Sequence, residues 1–331
     1  MDIVDRAWQR VSRIALPMLI LSLAFLVSSC NPDEQGAFAP HPDTEYDART
    51  GLPLEIVSRK DGAVMVLVRA GSFTPGPRGA TGAAPKQVGA FYIDKYEVTN
   101  GRYARFVADT GQRPPALGTP DAAMFDWENG VFAEGRDECP VVLVSFKDAA
   151  AFAEWAGKEL PAQQQWEYAA RGPASHEFPW GDELPGPADA NIADRIAGRK
   201  LSNRAAAETW YTSWSDSPPA VRNADALRRV GSFPNDVSDA GAFDLGGSVR
   251  EWCIRKGNGH VSGVAPTVSS DALSGNARVV CGGSWMRAGE DARSWYYEPA
   301  DPADSFFDVG FRCVVPASHP DIQALARSSS D

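Results

Sequence analysis

Between Val279 and Tyr297 the chain reads VVCGGSWMRAGEDARSWYY. This short stretch holds a thiol (Cys281), guanidinium groups (Arg287, Arg293), adjacent carboxylates (Glu290, Asp291) and several aromatic rings. A thiol becomes a nucleophile or soft metal ligand when a neighbouring base or cation favours its thiolate. Cys281 has Arg278 near it in sequence and no adjacent His. No nucleophile–base pair is legible elsewhere. The 4 His residues, His41, His176, His260 and His319, form no paired metal motif. Trp285, Arg287, Glu290, Arg293, Trp295 and Tyr297 instead mark a candidate recognition surface, because exposed aromatic and charged clusters favour binding.

These residues sit in a chain of 331 residues, 44% hydrophobic and 23% charged, the composition of a globular protein. The 43 Asp and Glu outnumber the 32 Lys and Arg, for a net charge of -11. Without a basic block such a chain is not expected to bind nucleic acid, where Lys and Arg must neutralise phosphates.

The N-terminus reads as an address. Arg6, Arg10 and Arg13 precede the apolar run Ile14 to Val27, which ends in Ser28, Ser29 and Cys30. The run is shorter than the ~20 apolar residues of a membrane span and fits a secretory signal. The other reading is an uncleaved anchor helix. LVSSC, Leu26 to Cys30, resembles the bacterial lipobox, which implies a signal peptide over 1–30, lipidation of Cys30 and anchoring by acyl chains. Asn31 after Cys30 points to the outer membrane of a bacterial cell envelope. Residues 31–60 are polar, rich in Pro and Asp, and read as a disordered tether. Residues 61–316 form the globular domain and 317–331 a flexible tail. If Cys30 is lipidated, Cys139, Cys253, Cys281 and Cys313 remain, and an even number in an exported chain predicts structural disulfides, with three connectivities open.

Within the domain, Ala63 to Phe73 and Phe91 to Val98 alternate as strands. Thr99 or Asn100 can cap a helix that ends before Gly111. Ser145 and Asp148 form an approximate capping box for a helix carrying Ala149, Phe152, Ala153 and Ala156 on one face and stopping at Gly157. A short helix over Ala162 to Gly172 turns Trp166 inward. From Pro173 the chain reads as loop until RVVCGGSW and GFRCVV return to strand. The class is α+β, with two main helices and long loops that need ties such as ions or disulfides.

In order along the chain, FYIDKYEVTNGRYARF, PVVLVSFKDAAAFAEWAGKELPAQQQWEYAARG, FPWGD, VGSFPNDVSDAGAFDLGGSVREWC, VVCGGSW and GFRCVV resemble the motifs of the formylglycine-generating enzyme, or sulfatase-modifying factor, family. The resemblance spans about Val64 to Val315. It implies a C-type-lectin-like fold with a twisted antiparallel sheet. Family enzymes oxidise a sulfatase Cys to formylglycine with a copper-binding cysteine pair just after the GGSW strand. Here MRAGEDARS follows, with Arg287 about where the first Cys stands and no second Cys. Arg is permanently cationic and cannot act as thiolate nucleophile or Cu(I) ligand, so copper is not expected. GGSVREW departs again from the family's GNVWEW: Ser248 stands for the Asn and Arg250 for a Trp. Arg293 and Arg312 match family arginines and are expected to pair carboxylates.

The resemblance also implies structural calcium, with Asn191, the Ile192 carbonyl and Asp225 at one site. Asn235, Asp236 and the Val237 and Gly241 carbonyls would form the other. Mixed hard oxygen ligands at a Gly turn suit Ca²⁺, and unliganded Asx turns are the alternative. The expected function is a non-catalytic, membrane-anchored binding or accessory lipoprotein whose partner is a protein, peptide or glycan. The alternatives are a divergent tailoring enzyme acting through Glu290, Asp291 or Tyr297, and the parent oxidoreductase activity retained through Cys281.

Overall fold

A computed structural model describes residues 36–79, 83–218, 226–255 and 278–326. The expected signal segment and Cys30 lie outside the described residues. In chain order the strands are β1 (Phe38–Pro40), β2 (Glu55–Ser58), β3 (Val64–Val68), β4 (Gly71–Phe73), β5 (Lys86–Val88), β6 (Phe91–Asp94), β7 (Arg250–Ile254), β8 (Arg278–Cys281), β9 (Tyr297–Ala300), β10 (Val309–Gly310) and β11 (Val314–Pro316). One sheet runs β1-β2-β3-β6-β11, antiparallel throughout. A second runs β10-β7-β8-β9, antiparallel except that β10 lies parallel to β7. β4 and β5 form a separate hairpin.

The expected helices are present. In α1 (Asn100–Thr110) the Thr99 side chain accepts from the Arg102 N–H and Gly111 closes the helix in the left-handed conformation. In α2 (Phe146–Trp155) Ser145 and Asp148 complete a reciprocal capping box. α3 (Gln163–Arg171) buries Trp166. Tyr103 of α1 stacks on Phe152 of α2 at 5.8 Å, and both rings meet Phe311. The α+β class holds, with more helix than two principal ones. α4 (Ala193–Ala197) and the 12-residue α5 (Arg204–Ser215) occupy what reads as loop. Asn203 caps α5, and Trp214 turns into a core with Trp285.

The boundaries also shift. The expected tether over 31–60 is folded from Gly36 onward. Phe38 is 2% exposed and Ile56 is fully buried, and β1 and β2 extend the first sheet. Strands of three and four residues are too short to show a period. The Tyr92 hydroxyl donates to the Pro53 carbonyl, which fixes the segment to β6. The expected tail is ordered at its start. α6 (Pro320–Gln323) packs Ile322 beside Phe38 and Leu52, and the Ala37 N–H donates to Asp321 at 2.9 Å.

One ion pair joins the two larger sheets. Arg312, fully buried before β11, donates from Nε to both oxygens of Glu251 in β7 at 2.9 and 2.8 Å. Its Nη groups reach the Phe243 carbonyl at 2.7 Å and the Asp94 carbonyl at 3.1 Å. Trp166 of α3 donates to the same carboxylate at 2.8 Å. Removing one partner strands the other charge in the core, a loss of ~3–5 kcal/mol. Arg312→Ala is expected to lose about that much in denaturant unfolding, and a loss under ~1 kcal/mol would contradict this role.

Candidate functional site

The pleat decides which side chains of the second sheet can meet. Successive residues of a strand point to opposite faces. In register, Glu251 faces Cys281 and Cys281 faces Tyr297, while Trp252 faces Val280 and Val280 faces Glu298. Glu251, Cys281 and Tyr297 therefore share one face. Arg250, Trp252 and Glu298 share the other.

On that second face the charges converge. Arg250 makes a two-pronged contact with Asp308, from Nε at 3.0 Å and Nη2 at 2.7 Å, and reaches Glu298 from Nη1 at 2.7 Å. Arg287 donates to the same Glu298 oxygen at 3.0 Å and stands 3.9 Å from Asp308. Arg204 of α5 pairs with the other Glu298 oxygen, which also accepts from the Tyr296 hydroxyl at 2.7 Å. Ser284 donates to Asp308 at 2.8 Å. The turn that delivers Ser284 requires glycine, since a Cβ on Gly283 would stand 2.5 Å from the Gly246 carbonyl.

Burial opposes the charge on Glu298, but Arg287 and Arg250 outweigh it and hold the carboxyl below its usual range. Burial likewise opposes Asp308, and Arg250 prevails. Asp291 lies behind this network. Burial pushes its carboxyl up to about 6 against the pull of Arg287 and Arg204.

A cavity of about 340 Å³ opens over the ion pairs. Arg250, Arg287, Glu298 and Asp308 supply its charged side. Met286, Pro299, Ala300, Phe306 and Phe307 supply an apolar wall. Such a site can orient a polar group against charge while burying hydrocarbon.

The expected recognition residues divide. Arg287 lines the cavity. Trp285 is fully buried, its indole N–H donating to the Phe307 carbonyl at 3.3 Å. Tyr297 is 1% exposed and packs with Trp166 on the opposite face. Both are core, because the register turns Tyr297 inward and Trp285 anchors an aromatic cluster. Glu290 is exposed. Arg293 donates to its carbonyl at 2.6 Å and stands over Phe178 and Trp295. Trp295 donates to Glu177 at 2.8 Å. These residues form a patch separate from the cavity.

The expected disulfides are not what the structure shows: Cys139, Cys253, Cys281 and Cys313 are buried free thiols. Cys253 faces Val279 and Cys281 faces Glu251, so the two are diagonal neighbours joined by a hydrogen bond between thiols. Cys139 and Cys313 sit in separate core clusters. Burial pushes all four thiols up, and none lines the cavity beside Arg287.

The first calcium set does not fit a cation. The Asn191 amide donates to the Ala226 carbonyl, and its oxygen accepts from the Arg195 guanidinium at 3.0 Å. The Ile192 carbonyl accepts the Arg195 N–H. Asp225 lies outside the described residues. In the second set, Asn235 is exposed and donates to Asp189. Val237 and Gly241 are half-buried, with Val237 bridged to Phe243. Asp236 turns inward, where both oxygens accept the Gly246 N–H. It joins a buried group comprising Glu97, Asp244, Glu251 and Arg312. Both Glu97 oxygens lack a hydrogen-bond partner. Burial, then Asp244, pushes Glu97 well up, and burial lifts Asp236 and Asp244 to about 7. No three His, Cys, Asp or Glu side chains among the described residues stand as a metal cluster.

Sequence reasoning missed Glu298, Asp308, Ser284, Arg204 and Tyr296. A signal existed: Arg250 and Arg287 are both basic departures from the family motifs, and the structure brings both to the same two carboxylates.

A family model for the sulfatase-modifying factor enzyme 1-like domain matches residues 54–317. The chain is 32% identical over 268 residues to a formylglycine-generating enzyme of Streptomyces coelicolor, covering 68% of this chain and 77% of that one. It is 30% identical over 285 residues to a Mycobacterium tuberculosis protein of the same name, covering 69% and 88%. It is 27% identical over 306 residues to a Bos taurus protein named inactive C-alpha-formylglycine-generating enzyme 2, covering 77% and 89%. Among solved structures, PvdO of Pseudomonas aeruginosa overlays with a TM-score of 0.54 at 22% identity, covering 82% of this chain and 100% of that one. That likeness is one of fold, and it agrees with the C-type-lectin-like architecture expected from the motifs.

Proposed function

Because this chain belongs to the sulfatase-modifying factor enzyme 1-like family, we propose that it uses the family scaffold as a non-catalytic, membrane-anchored binding or accessory lipoprotein. The observation that carries this reading is the position of Arg287. It follows the GGSW strand, and its guanidinium is engaged with Glu298 and Asp308. Oxygen activation by thiolate-bound copper needs soft, ionised sulfur. The described thiols are buried, burial pushes their pKa values up, and none lines the cavity beside Arg287. A permanently charged guanidinium held by two carboxylates is suited to orienting a ligand. The kinship to formylglycine-generating enzymes supports the competing reading, oxidation of a client Cys, and the decisive experiment addresses that reading directly.

The purified protein, supplied with copper, oxygen, a thiol reductant and a Cys-containing sulfatase peptide, is expected to form no aldehyde by mass spectrometry. Stoichiometric formylglycine would overturn the binding role. The anchor rests on the LVSSC motif at Leu26 to Cys30. In a bacterial host, Cys30→Ser is expected to move the protein from the membrane fraction to the soluble one, and an unchanged distribution would refute lipidation.

Calcium enters this reading as a structural ion near Asp236. The support is the second expected set, Asn235 to Gly241, where Asp236 is buried beside Glu97 and Asp244 and neither Glu97 oxygen has a hydrogen bond, one of them standing 4.0 Å from Arg312. A hard dication among carboxylates and backbone carbonyls satisfies such a group. Chelation is expected to lower the melting temperature by several degrees and added calcium to restore it. An unchanged melt would remove calcium from the reading.

A further inference from the structure

The cavity over the ion pairs is lined by two guanidinium groups and two carboxylates, which are unequally held. Asp308 is held by both prongs of Arg250 and by Ser284. Glu298 accepts from Arg250, Arg287 and Tyr296 and pairs with Arg204. Arg204 pairs with Glu208 as well and lies outside the lining, which leaves Arg250 and Arg287 facing the cavity with Glu298 and Asp308. Arg287 has the looser hold of the two. Its 3.0 Å bond goes to an oxygen already taken by Arg250, and Asp308 is 3.9 Å away. Asp291, the remaining nearby carboxylate, is not among the residues lining the cavity.

Apart from Ser305 the rest of the lining is hydrocarbon, and it is braced. Phe307 lies between two rings, stacked on Phe125 at 5.7 Å with planes 6° apart and on Tyr211 at 5.9 Å with planes 19° apart. Arg250 sits over Phe306 at 5.7 Å. A wall fixed before a ligand arrives adds affinity because little ordering remains to be done.

We propose that this cavity binds an apolar carboxylate, with its carboxylate on Arg287 and its hydrocarbon against Met286, Phe306 and Phe307. The inference rests on the reading of this site as a binding site. A guanidinium offers paired N–H donors that match a planar carboxylate. A monoanion suits a place with one loosely held cation, whereas a phosphate dianion would confront Glu298 and Asp308 with excess negative charge. The volume, about 340 Å³, is at the small end of ligand pockets and accommodates one aromatic or branched side chain with its carboxylate. The free C-terminal residue of a peptide and a small aryl or alkyl acid share this chemistry.

The test is calorimetric titration of the full chain with N-acetylphenylalanine and its amide, and with a peptide ending in Phe as free acid and as amide. Both acids are expected to bind at least tenfold more tightly than their amides. Arg287→Gln should weaken the acids about tenfold, and Arg287→Lys should weaken them less. Tighter binding of the peptide acid identifies a chain terminus as the source, and tighter binding of the small acid identifies a free metabolite. Equal affinity for acid and amide, no binding of either acid, or a folded Arg287→Gln variant with unchanged affinity would overturn the inference. The acid–amide comparison stands on the unmodified protein even where a variant fails to fold. Loss of acid binding leaves the wider binding role standing, whereas aldehyde formation on a Cys peptide defeats that role whatever the acids do.

Discussion

The buried contact between Arg312 and Glu251 is the constraint from which the second sheet takes its position. A guanidinium fully removed from water must have its donors met, and here they are met by one carboxylate and by carbonyls of Asp94, Lys95 and Phe243. Those carbonyls belong to the exit of β6 and to the loop before β7. The pair therefore fixes three separate segments at once. Glu251 is pinned to the inner face of β7, and the pleat then gives Arg250 no choice but the other face.

Arg250 and Arg287 should be understood together. Glu298 and Asp308 are buried deeply enough that neither could remain ionised alone. Each carboxylate answers to more than one arginine, and each of these arginines to both carboxylates. Such a network is satisfied as a unit. A second unit, Asp61, Asp94, Arg102 and Lys158, holds the start of α1 and the end of α2 against the first sheet. The molecule thus relies on several buried ionic groups where sulfur bridges were expected.

Much of the framework was legible because its signals are local. Ser145 with Asp148, Thr99, and Gly111 mark helix ends through contacts within a few residues. The ordered motifs carried the family and the fold. Most of what escaped was non-local or too short. β2 pairs with β3, which no window over residues 31–60 contains, and β1 in turn pairs with β2. α5 does carry a helical stripe, with Ala207, Trp210, Tyr211 and Trp214 at i, i+3, i+4 and i+7 packed against the core, and the loop reading passed over it. The cavity escaped because Glu298 and Asp308 are ordinary acids until register and turn geometry bring them to Arg250 and Arg287. The pairing of thiols failed for the same reason: an even number of cysteines states nothing about strand register.

The meeting of β1 with α6 has a mechanical consequence. The Ala37 N–H is held by Asp321, and Ile322 packs beside Phe38 and Leu52. The first and last described segments are therefore clasped to each other, and a pull on either one is borne by both before β1 can peel away from β2.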